Sequence, residues 1–160
     1  MKKSSFLGVL TLITLIWACG NSLKDDPKVK EAGKIHLEAS EIQEEIEPMV
    51  EQIDSLTIVL TDKKKTLADS SAKQADEVIA ALSKVKTDFE DWEANVFEVP
   101  GVEHDHDHAE GEHHHHHDHK PAPDLTPDQM LDVQKEMLKT IQGLKETMNQ
   151  NMDKAKALLQ

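Results

Sequence analysis

The sequence predicts an all-α fold, an antiparallel three-helix bundle with coiled-coil-like packing. Three observations carry this. Three long segments place apolar residues at alternating spacings of three and four, the period of one helix face. Helix start signals precede the first and third of them, a capping-box pattern opens the second, and Pro-Gly stops the second. No stretch reads convincingly as a strand.

The first helix is expected over about 27–66. Asp26 followed by Pro27 suits an N-cap and first helical position. The apolar stripe is Ala32, Ile35, Ala39, Ile42, Ile46, Met49, Ile53, Leu56 and Leu60. Pro48 lies off that stripe and removes one backbone hydrogen bond, so a kink or the start of a second segment is expected there. Lys63, Lys64 and Lys65 read as a solvated turn. The second helix is expected over about 71–98, with Ser71 and Gln74 as a capping box. Its stripe is Ala75, Val78, Leu82, Val85, Phe89, Trp92 and Val96, with Trp92 as a core or interface anchor. Pro100 and Gly101 end it. The third helix is expected over about 127–159, opened by Thr126, Pro127 and Gln129. Its stripe is Met130, Val133, Met137, Ile141, Leu144, Met148, Ala155 and Leu158. Each stripe needs a partner, which a bundle supplies; the heptad-like spacing also permits self-association or docking of a partner protein.

Ahead of the helices, Met1-Lys2-Lys3 and the mostly apolar run Phe6–Ala18 read as a signal peptide over 1–18, too short to span a membrane. The stretch "IWAC", Ile16 to Cys19, resembles the lipobox of bacterial lipoproteins. That resemblance implies lipid on Cys19, a mature chain of about 140 residues and a tether over 19–26. The expected location is the cell envelope, at the outer membrane, with the lipid as the membrane contact. Cys19 is the single Cys, which excludes an internal disulfide and any multi-thiolate zinc site. The formal charge of −13 becomes −15 without Lys2 and Lys3. With no Arg present, this acidity argues against nucleic acid.

Between the second and third helices, residues 103–120 are expected to form a long disordered His-rich loop. The run from His104 to His119 holds nine of the ten histidines: His104, His106, His108, His113, His114, His115, His116, His117 and His119. Asp105, Asp107, Glu110, Glu112 and Asp118 are interleaved with them. Imidazole is well suited to Zn²⁺, Ni²⁺ and Cu²⁺, and four ligands satisfy a tetrahedral zinc. A catalytic metal needs fixed ligands and a supporting shell, whereas interchangeable ligands suit capture, buffering or hand-over. No nucleophile–base arrangement or phosphate-binding Gly loop is present, so the reading is not an enzyme. His36 reads as a boundary-position helix residue, and the Met residues as core filler. Two alternatives stand beside metal binding: a structural or interaction lipoprotein with an incidental His run, and a pH-responsive form of it.

The stretches "HLEASEIQEEIEPM" (His36 to Met49) and "DFEDW" (Asp88 to Trp92) resemble small helical lipoproteins of Bacteroidetes-type bacteria, often labelled "viral A-type inclusion protein". His36, Glu45, Pro48 and Trp92 are the matching residues. The resemblance implies a helical lipoprotein and no particular activity.

Overall fold

The computed structural model describes residues 23–102 and 123–160. After a short 3₁₀ turn, Leu23–Asp25, come three helices: α1 (Pro27–Lys64), α2 (Asp69–Glu93) and α3 (Pro127–Leu159). All three pack on one another, and no strand occurs among the described residues.

Ion pairs fix the register. Lys28 pairs with Asp128, Lys135 with Glu31 and Lys145 with Glu45. The numbers rise together, so α1 and α3 run parallel. Lys64 pairs with Asp76 and Lys86 with Asp54. These numbers run oppositely, so α2 returns antiparallel between them. The up-down-up order expected from the stripes is the observed one. The hydrogen bonds that Lys28 donates to Asp128 and Lys86 donates to Asp54 are the main cause that raises the pKa of each lysine.

The ends of α1 and α3 follow from their caps. The Asp26 side chain accepts from the Lys28 N–H at 2.8 Å, with Pro27 in the first turn. Thr126 and Gln129 form a reciprocal capping box, which satisfies two helix-end donors. At α2 the expected start is corrected. The N-cap is Ala68, without a side-chain cap bond, and the first helical bond runs from Ala72 N–H to Ala68 C=O. Ser71 is therefore inside the first turn rather than capping it. Asp69 there complements the positive helix end.

The end of α2 is also corrected, from 98 to Glu93. Residues 94–102 instead form a non-helical strap across the first turns of α1. Val96, Phe97 and Val99 are buried in it; with 97 and 99 alternating, this burial does not keep a helical period. Asn95 turns the chain, its side-chain amide donating to the Asp91 carbonyl. Pro100 disfavours helix at Val99, and Gly101 takes a positive φ of 85° beside Lys24. The strap lies where α2 is too short to cover α1. The α1–α2 contacts run from Lys64–Asp76 down to Gln43–Glu93, leaving the residues of α1 before Gln43 to another cover.

Pro48 starts no second segment. α1 continues through it, and Pro48 is exposed, so the carbonyl that loses its helical donor can be solvated.

Within α1 the seam differs from the expected stripe by one residue. Val29, Ala32, His36, Ala39, Gln43, Ile46, Val50, Ile53 and Leu60 are buried, while Ile35, Ile42, Met49 and Leu56 are half-buried flanks. In α2 the stripe from Ala75 to Trp92 is buried as expected. In α3, Met130, Ile141, Leu144, Met148 and Ala155 are buried, and Val133, Met137 and Leu158 only partly. Gln134 and Asn151 fill two seam positions that an apolar stripe passes over.

Candidate functional site

The buried polar groups collect mainly near one end of the bundle. His36 is 2 % exposed and Gln134 1 %. This corrects the boundary position expected for His36: it lies on the seam, one residue round from Ile35. The α1–α3 ion pairs offset the two helices by 100 to 104 residues. That offset sets His36 and Gln134 at neighbouring levels of one seam. Gln43 donates from Nε2 to Glu93 Oε1 at 2.9 Å, and Trp92 donates from Nε1 to the Met137 carbonyl at 2.9 Å. Trp92 is thus the anchor its sequence position suggested. Its ring stacks on Phe89, and its polar tip ties α2 to α3. Gln134 Nε2 has no hydrogen-bond partner among the described residues, a state that costs free energy in a packed interior.

These residues split the apolar core. A small cluster at the N-terminal end of α1 contains Val29, Ala32, Phe97, Val99, Met130 and Leu131. The main cluster begins beyond the polar level, with Ala39 on α1 and Ile141 on α3 among its members. His36 falls between the clusters along α1, and Gln134 between them along α3.

The small end cluster also takes in the described residues on either side of the His-rich stretch. Val102 and Leu125 both pack against it. Gly33 makes the first of these contacts close: a Cβ there would stand 2.6 Å from Val102 Cγ2. Sequence reasoning passed over Gly33, although a Gly inside a helical pattern is a signal of close packing. It also passed over Gln43 and Gln134, which would have emerged from extending the heptad through polar positions.

The expected metal ligands, His104, His106, His108, His113, His114, His115, His116, His117 and His119, lie outside the described residues, as does Cys19. Among the described residues no three His, Cys, Asp or Glu side chains come together as a metal-ligand set. No described helix is long and apolar enough to cross a membrane. No family model, curated protein sequence or solved structure matches this chain. The likeness to small helical lipoproteins therefore rests on the quoted motifs alone.

Proposed function

We propose that this is a lipid-anchored protein of the bacterial cell envelope that binds divalent transition metal ions through residues 104–119, for capture, buffering or hand-over. The observation that carries the reading is the density of imidazole: nine histidines in sixteen residues, interleaved with five carboxylates. Zn²⁺, Ni²⁺ and Cu²⁺ are the guests that imidazole favours. The carboxylates add attraction for cations and accept imidazole N–H bonds. Lipid on Cys19 supplies the membrane contact, by the resemblance of Ile16 to Cys19 to a lipobox.

The architecture is compatible with this division of labour. Among the described residues, three helices bury their seams against each other and against the strap. Val102 and Leu125, on either side of the His-rich stretch, pack on one end cluster, which supports a tract based at that end of the bundle. The 3₁₀ turn at Leu23–Asp25 belongs to the same end. A tether from Cys19 would therefore bring metal ligands and membrane to the same side of the bundle.

The test is metal binding by protein purified without a nickel column. Wild-type chain should bind more than one Zn²⁺ or Ni²⁺, since nine imidazoles exceed the needs of one tetrahedral site. Binding should weaken as pH falls through about 6.5, where protons compete for the same nitrogens. Replacing His113 to His117 with Ser should remove part of the capacity, and replacing all nine should abolish it. Unchanged growth and metal content in cells carrying the nine-His-to-Ser gene, across metal excess and starvation, would favour a structural or interaction lipoprotein instead.

A further inference from the structure

We propose that the end of the bundle formed by Leu23, the 99–102 turn and Pro123 is a membrane-docking face, seated on the bilayer interface with the helices standing away from it. This rests on lipid at Cys19, the anchor proposed above. Leu23 stands four positions after Cys19. Fully extended, that stretch reaches about 14 Å. Lipid on Cys19 would hold its backbone among the headgroups, a zone of roughly 5–8 Å on each side of the hydrocarbon. The first turn of the fold is then kept next to the membrane surface.

The residues gathered at that end suit an interface. Gly101 lies against Lys24: a Cβ added to it would stand 2.9 Å from the Lys24 Cβ. Lys28 pairs with Asp128 and so joins the first turns of α1 and α3. Leu23 is 44 % exposed there. Pro123 and Gly101 are exposed, and Pro100, Val102 and Leu125 are half-buried. A single exposed Leu needs no explanation by itself, but this one stands where the tether would enter the fold. The charges beside it are mixed, Lys24 and Lys28 among Asp25, Asp124 and Asp128. That mixture matches zwitterionic headgroups better than a strongly anionic surface.

The long sides of the bundle offer charge instead. Glu41 and Glu44 are exposed on α1, Glu77 and Lys84 on α2, and Glu136 and Lys139 on α3. Pressing such groups against a bilayer takes them out of water, which is costly. Ile58 and Val59 are exposed at 66 and 49 %, but exposed Asp54 and Asp62 stand one turn to each side of Ile58. Ile58 is also roughly 45 Å along α1 from its start at Pro27. An upright pose holds it clear of the membrane. The same pose sets Val102 and Pro123, where the chain leaves and re-enters the described fold, at the level of the headgroups.

The test uses the lipidated chain in phosphatidylcholine vesicles, with some lipids carrying a nitroxide on the headgroup as a short-range quencher. Cys19 is the only Cys and lipid blocks its thiol, so Pro123→Cys or Ile58→Cys adds one free thiol for a fluorophore. Both positions are exposed, and Pro123 is remote in sequence from the tether, so its label reads the face itself. The label at 123 should lose at least about half of its fluorescence and the label at 58 less than about a tenth. Leu23→Asp should weaken the quenching at 123 by about two-fold or more, with helical circular dichroism unchanged. Equal quenching at 58 and 123 would mean that the bundle lies flat, and overturns the proposal. So does a chain that floats with the vesicles while neither label is quenched, or a Leu23→Asp chain that is quenched as fully as its parent. A chain that fails to float with the vesicles removes the lipid anchor, and the docking face with it; flotation reads that failure separately from quenching.

Discussion

Gly33 and Gly143 are both inside long helices, and the contrast between them isolates what holds the strap. Gly in a helix interior costs about 1 kcal/mol relative to Ala. At Gly143 an added Cβ meets nothing within 4 Å, so Gly143→Ala should stabilise the bundle by about that amount. At Gly33 the same gain in α1 is opposed. The new Cβ would lie 2.6 Å from Val102 Cγ2, where carbon atoms rest at about 3.5–4.0 Å. Val102 must retreat by roughly 1 Å, and a β-branched side chain cannot swing its methyl aside cheaply. Losing the burial of a half-buried Val costs about 1 kcal/mol. Gly33→Ala should therefore leave stability nearly unchanged. The assay is urea unfolding followed by helical circular dichroism on both variants, each in wild-type and Val102→Ala backgrounds. With Val102 trimmed, the next atom met at position 33 is Val99 Cγ1 at 3.9 Å, an ordinary contact. Gly33→Ala should then recover the full gain seen at Gly143, about 2–4 °C in melting temperature. If Gly33→Ala stabilises the wild-type chain as much as Gly143→Ala does, the close crossing of Val102 over α1 is not what selects Gly there.

Three further outcomes are expected. Cys19→Ala should move the protein from the membrane to the soluble fraction after signal cleavage, since lipid on Cys19 is the proposed anchor; continued membrane association would remove the lipoprotein reading. Replacing residues 103–120 with a flexible linker should leave helicity and the cooperative melt nearly intact in metal-free buffer, because the described core is assembled from residues outside them; a large loss of helical signal would make those residues part of the core. Trp92→Phe should destabilise by about 1–2 kcal/mol in urea titration, through the lost bond to the Met137 carbonyl and the smaller ring, and a change below about 0.3 kcal/mol would mean the indole N–H contributes nothing net.

The sequence made the fold class legible because each helix carries a long stripe, and α2 carries the cleanest one. From Ala75 to Trp92 every seam position is apolar, so period and burial coincide. In α1 they do not. His36 and Gln43 occupy seam positions, and a stripe drawn through apolar residues alone turns aside to Ile35 and Ile42, which are flanks. Gln134 and Asn151 hide two seam positions of α3 in the same way. Residues 94–98 of the strap read as helix in the sequence because Val96 continues the three-four spacing from Trp92. Only tertiary packing of Phe97 and Val99 against α1 shows that the chain has left the helix. The candidate metal ligands were legible as composition, which needs no geometry, and His36 was undervalued because polarity alone suggested a boundary.

Because Val102 and Leu125 are fastened to the same end cluster, the segment between them is an insertion between two nearby anchor points. The entropy of closing such a segment grows only with the logarithm of its length. Doubling it from 22 residues would cost about 0.6 kcal/mol, less than a single poor core substitution. A longer or shorter His-rich tract would on that ground carry almost no penalty to the described helices.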